Sequence, residues 1–194
     1  MTNSSAAGAV VFDLEFTAWA DSMASGWLLP GQFKEIVQFG AVKVDGSFVE
    51  VARFEQLVRP RLNPVLSDYL VALTGIANER VRARGVDFVE AYRAFLAFAG
   101  DLPVIAFGRD DLVIDDNLRL YGIADLPRIS RYFDARRWMA AQGFDMTGLH
   151  SCDLGPLAGV PFEGHKHDAL CDAVSVAAGF RALMAGGAKP PVLP

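Results

Sequence analysis

Residues Val10 to Phe16, VVFDLEF, decide how the chain is read, because a run patterned as a buried strand carries two carboxylates. Side chains of a strand alternate faces, so Asp13 and Glu15 project from one side, and Phe12, Leu14 and Phe16 from the other. Two like charges therefore stand side by side. Either the strand is half exposed and the acids are solvated, or a divalent cation holds them, and only the rest of the chain can choose.

The chain has 194 residues, 52% of them hydrophobic, which suits one domain with a substantial core. Its net charge is −5 and its isoelectric point lies near 5.1, so any polyanion is bound locally and not by the global field. A tight, sequence-specific duplex binder is disfavoured, whereas an enzyme that holds a substrate briefly through metal is compatible. Cys152 and Cys171 have no metal-type spacing and read as free buried thiols. MTNSSAAGA at the start has no basic segment or long apolar run, and no stretch reaches the ~18 apolar residues of a membrane span. A reducing, cytoplasmic setting without membrane association is expected.

Outward from the strand, residues 17–34 mix small, polar and tryptophan residues and read as a loop on the rim of a site. EIVQFGAVKVDG predicts a strand ending in an Asp45-Gly46 turn, and SFVEVARFEQLVRP the returning strand of a hairpin. Phe88, Ala91, Tyr92, Phe95, Phe98 and Ala99 recur at helical spacing before Gly100, and PVIAF is a short apolar strand. DDLVIDDNLRLYG is helical, RYFDARRWM turns from strand to helix, and HDALCDAVSVAAGFRALMAGG is a last helix before the tail AKPPVLP. Three strands followed by strands alternating with helices predict an α/β domain over residues 10–185, a mixed sheet of about five strands covered by helices, with tails at 1–9 and 186–194.

Two further segments carry chemistry. Val113, Ile114, Leu118 and Tyr121 define one face of the helix after FGR, and Asp110 falls near its centre while Asp111 lies about a quarter-turn away. A carboxylate pointing inward needs a partner or a metal, although Asp110 as a plain helix cap is also physically sound. If the last helix starts at about Asp168, His167 sits on the preceding loop and can swing over the site that Asp172 faces; a surface histidine is the plainer alternative.

Taken together, FDLEFT, GRD before a helix and HDALCD resemble, in order, the three motifs of the DEDDh 3′–5′ exonucleases. KEIVQFGAVKVD, LVRPRLNPVLSDYLVALTGI and NERV resemble the intervening strands and Leu-Thr-Gly-Ile loop of that family, especially its small stand-alone members of the histone-mRNA type. The resemblance spans about residues 10–185. It implies a ribonuclease H-like fold, two Mg²⁺ or Mn²⁺ ions on Asp13, Glu15, Asp110 and Asp172, and His167 as general base. Because GRDD offers two adjacent aspartates, Asp111 remains the alternative to Asp110. By the same resemblance Phe16, Thr17, Trp19, Leu73, Thr74, Gly75 and Ile76 lie at the terminal nucleotide of a single strand's 3′ end, and a homodimer is expected. Two cations about 4 Å apart stabilise the attacking and leaving oxygens of a phosphodiester and compensate acids that would otherwise repel one another.

Overall fold

The computed structural model describes residues 8–194. Five strands form one sheet in the order β3-β2-β1-β4-β5. They are β1 (Ala9–Phe16), β2 (Ile36–Val44), β3 (Glu50–Leu57), β4 (Val104–Ala106) and β5 (Tyr132–Asp134). β1, β2 and β3 form an antiparallel meander, and β4 and β5 add parallel to the other edge of β1. β1 is thus central and covered on both faces, which is why it is nearly all apolar until its acids.

The helices are α1 (Ser22–Ser25), α2 (Asp68–Thr74), α3 (Asn78–Arg84), α4 (Phe88–Ala99), α5 (Asp110–Leu120), α6 (Ala135–Ala141), α7 (Leu154–Leu157) and α8 (Ala169–Ala185). Val10, Phe12 and Leu14 pack on Ala91, Tyr92 and Phe95 of α4 and Val113, Ile114 and Leu118 of α5. On the opposite face Ala9 and Val11 meet Trp138 and Met139 of α6 and Val176 and Phe180 of α8. Asp13 and Glu15 continue that second face beyond the apolar contact, towards the N-terminal end of α8. α4 ends as its pattern predicts, with Gly100 at φ 59° returning its N–H to the Leu96 carbonyl.

Four sequence expectations are adjusted. The hairpin connection is longer than an Asp-Gly turn: Asp45 accepts from the N–H groups of Ser47 and Val49, and Phe48 takes φ 59° so that its ring stacks on Phe180 at 4.9 Å. Burial of that ring outweighs the tighter turn. The 17–34 segment contains the single-turn α1. β1 begins at Ala9, inside the expected N-terminal tail, whose residues 1–7 lie outside the described residues. Residues 186–194 have no regular element but are docked, with Leu193 against the α8 core, the Lys189 carbonyl accepting from Trp138 Nε1, and Arg131 bound to the Pro194 oxygen.

A buried carboxylate fixes the wall on which α2 stands. Glu35, fully buried, accepts from the N–H groups of Arg61, Leu62 and Asn63 at 2.6–2.7 Å and from the Tyr121 hydroxyl at 2.6 Å. Replacing it with Ala orphans four donors at once, so Glu35→Ala is expected to cost roughly 3–5 kcal/mol. Urea unfolding checks this, and a loss under 1 kcal/mol would show that water replaces the carboxylate.

Candidate active site

Three elements converge on one cleft of about 520 Å³. β1 contributes Asp13 and Glu15, each 8% exposed, paired across the sheet with Gly40 and Gln38. α5 contributes Asp110 from its first turn, and α8 contributes Asp172, 1% exposed, with His167 on the turn just before it. All five line the cleft. Ligand atoms of Glu15, His167 and Asp172 lie within 4.8 Å of one another.

Local rules explain each placement. Asp168 caps α8 by accepting from the N–H groups of Leu170 and Cys171, and Gln38 of β2, fully buried, ties that cap to the sheet. Gln38 donates to Asp168 at 3.0 Å and to Glu55 at 3.2 Å and accepts from the Ala169 N–H at 3.0 Å. His167, immediately before the cap, takes φ 61°, a left-handed conformation uncommon outside glycine. α8 approaches β2 so closely that a Cβ on Gly40 would overlap the Ala169 carbonyl carbon and the Leu170 nitrogen.

Arg109 distinguishes the surroundings of Asp110 from those of Asp111. Its guanidinium holds Asp111 through two bonds of 2.8 and 2.7 Å, which turns Asp111 away from the cleft and leaves Asp110 lining it. Gly108, at φ 131°, makes the turn that only glycine adopts readily, and Tyr132 of β5 donates its hydroxyl to the Gly108 carbonyl at 2.5 Å.

The expected substrate contacts divide. Phe16, Trp19 and Leu73 line the cleft. The Thr17 hydroxyl is spent on the Phe33 carbonyl and the Glu35 N–H. That of Thr74 bonds the Leu70 carbonyl and the Ile76 N–H, and Ile76 is fully buried among Val37, Leu57, Leu70 and Val81. Gly75 closes α2 at φ 70°, beneath the His165 ring. Thr17, Thr74 and Ile76 therefore shape the wall without turning their side chains into the cleft. Met23, Trp27, Tyr69, His150 and Ser151 line it without having been expected. A tryptophan-bearing rim loop was the available signal for Trp27; nothing in the pattern singles out Ser151.

The site is electrostatically frustrated as it stands. Burial, then the charges of Asp110, Asp172 and Glu15, raise Asp13 well above the ordinary carboxylate range, and burial followed by Asp172 and Asp110 does the same to Glu15. Burial pushes Asp110 and Asp172 up to about 7. No Lys or Arg side chain lines the cleft among the described residues. The Ser151 hydroxyl donates to Asp172 Oδ2 at 3.1 Å, while Oδ1 is buried with no hydrogen-bond partner. A set of hard oxygen donors, one of them orphaned, fits divalent cations. His167 is shifted the other way, its pKa lowered by burial and then by neighbouring His150, whose ring lies edge-on at 5.6 Å.

The family profile of exonucleases, RNase_T, matches residues 10–180, nearly the whole described domain. The chain belongs to this exonuclease family. A curated relative, ERI1 exoribonuclease 2 of Xenopus laevis, is 34% identical over 73 residues, which is 37% of this chain and 10% of that protein, so the chain spans a small part of the relative's length. Among solved structures, the nuclease domain of 3′hExo, described as a DEDDh family member bound to rAMP, superposes with TM-score 0.80 at 18% identity, covering 100% of this chain and 98% of that one. Cell-death related nuclease 4 (CRN-4) gives 0.77 at 19%, covering 95% and 66%. Within the RNase_T family, the ribonuclease H-like α/β fold and the DEDDh resemblance are both as expected from the sequence.

Proposed function

We propose that the protein is a metal-dependent 3′–5′ exonuclease that releases nucleoside monophosphates from single-stranded RNA or short oligonucleotides. The observation that carries the reading is the convergence of Asp13, Glu15, Asp110 and Asp172 from three separated elements beside His167, with a buried Asp172 oxygen left unpartnered. The four carboxylates would hold two Mg²⁺ or Mn²⁺ ions, which supply charge stabilisation at the reacting phosphate and at the attacking and leaving oxygens. His167 takes the proton of the attacking water on a ring nitrogen, as neutral imidazole. Its lowered pKa keeps that form available below the usual histidine range. Phe16, Trp19 and Leu73 offer apolar surface to the terminal base, which stacking holds without reading sequence. DNA is the runner-up substrate, because nothing in the cleft singles out a 2′-hydroxyl. Two free cysteines fit a reducing, cytoplasmic setting, and a homodimer follows the family resemblance. No helix among the described residues is long and apolar enough to cross a membrane.

The test is a time course on RNA and DNA of one sequence, labelled at the 5′ end, with Mn²⁺, Mg²⁺ or EDTA. Single-nucleotide shortening that needs metal, with His167→Ala reducing the rate by about 10²–10⁴-fold, is expected. Intact strands beside retained Mn²⁺ binding would instead indicate an exonuclease fold used to bind RNA.

The lowered His167 pKa sets the pH profile. Activity depends on the unprotonated ring, so it is lost as pH falls through that pKa, and the acid limb at saturating metal is expected below pH 6.5. A limb centred above pH 7 would reassign the proton acceptor.

A further inference from the structure

Ser151 lines the cleft, and the hydrolytic reading leaves it without a role. It opens the 3₁₀ turn Ser151–Asp153, where the Asp153 carboxylate accepts from the His150 N–H at 3.0 Å and pairs with Lys166 at 3.0 Å. Two points one helical turn apart then pin this segment to α8. Ser175 Oγ, buried, donates to the Cys152 carbonyl at 2.9 Å and accepts from the Gly155 N–H at 3.0 Å. Ser151 Oγ donates to Asp172 Oδ2 at 3.1 Å. Residues three apart share a helix face, so Asp172 and Ser175 present one edge of α8 to the turn.

The pinning matters for what it leaves free. Asp172 is buried, and while Oδ2 accepts from Ser151, Oδ1 has no partner. Ligand atoms of Asp172, Glu15 and His167 gather within 4.8 Å of one another. A carboxylate can swivel and offer either oxygen, or both, to a cation. A hydrogen bond to one oxygen removes that freedom before the ion arrives. The donor comes from a segment that Ser175 holds through protein groups alone, so its place does not depend on metal. Burial raises the Asp13 carboxyl, and the Ser151 hydroxyl is near enough to act against that rise, so the same group stands between β1 and α8.

From this geometry, and resting on the metal-dependent exonuclease reading, we propose that Ser151 is a positioning residue of the metal centre: its hydroxyl holds Asp172 by Oδ2 and so presents Oδ1 to the cation. Ser151 acts through Asp172 and needs no contact with the nucleotide. Its effect falls on metal affinity more than on the chemical step, because an ion that saturates the site imposes the same orientation on the carboxylate.

The test titrates Mn²⁺ by calorimetry, without nucleic acid, into the wild-type protein and into Ser151→Ala, Ser151→Val and Ser151→Thr, and follows kcat against Mn²⁺ on one 5′-labelled RNA. Metal-free thermal midpoints check that each variant is folded. Val and Thr share a shape and differ by the hydroxyl, so the pair separates the hydrogen bond from packing. Ser151→Ala and Ser151→Val are expected to weaken Mn²⁺ binding by about 10–100-fold and to raise the Mn²⁺ needed for half-maximal rate in step, with kcat at saturating metal much less changed. Ser151→Thr should bind Mn²⁺ as the wild type does. Unchanged affinity in the Ala and Val variants, or an equal loss in Thr, overturns the proposal. A higher KM for RNA at unchanged metal affinity also overturns it and puts the hydroxyl on the substrate. A wild-type protein that binds Mn²⁺ but cuts no strand would sink the exonuclease reading alone, because the binding arm still decides the role of Ser151.

Discussion

Asp172→Asn is expected to raise the thermal midpoint of the metal-free protein at pH 7.5 while abolishing hydrolysis. Burial lifts the Asp172 carboxyl from 3.8 to about 7 in the folded protein. A carboxyl raised on folding binds more protons in the native state than in the unfolded one. Stability from this group therefore falls as pH rises from about 4 to 7, and the deficit is complete above that. Three units in one group correspond to roughly 4 kcal/mol. Water penetration and sharing of protons among the four acids reduce this, and a gain of about 1–3 kcal/mol in the variant is expected, or ~3–10 °C for a chain of this size. The gain should vanish near pH 4, where both proteins are uncharged at the site. Added Mn²⁺ should raise the wild-type midpoint by mass action and leave the variant unmoved. A metal-free variant less stable than wild type at pH 7.5 would mean that the carboxylates are compensated without metal.

Gly40→Ala is the second large effect, and it acts through the backbone. The new Cβ overlaps the first residues of α8, and neither the central β2 strand nor a helix held by the Asp168 cap can yield cheaply. A cost of about 3–5 kcal/mol is expected, at the upper end of overpacking effects. The fraction that folds should hydrolyse poorly, because α8 carries Asp172 and sets the turn of His167. Gly186→Ala, where φ is −78° and neighbours stand at 3.4 Å or more, serves as the control and should be near neutral. Equal stability of Gly40→Ala and wild type would show that α8 packs further from the sheet than described.

Much of this architecture follows from periodicity. The alternation in VVFDLEF placed both acids on one face, and the helical spacing of Phe88 to Ala99 and the start of the last helix at Asp168 survive as expected. Periodicity also favoured Asp110 over Asp111, but what turns Asp111 away is a two-residue fork with Arg109, an interaction with no repeat to read. The roles expected for Thr17 and Thr74 came from resemblance, and each hydroxyl is instead committed to backbone groups a few residues away or across the fold. His150 and Ser151 begin a 3₁₀ turn too short to carry any pattern, so their place at the cleft depends on tertiary packing alone.

The bridge made by Gln38 has a kinetic consequence. It joins a strand near the start of the chain to a helix cap near the end, and Glu15 and Asp172 meet across that same joint. Residues as far apart as Gln38 and Ala169 must both be made and the long loop between them closed before Glu15 and Asp172 can share an ion. A nascent or truncated chain lacking α8 then cannot assemble the cleft, and cation capture marks the end of folding and cannot guide its beginning.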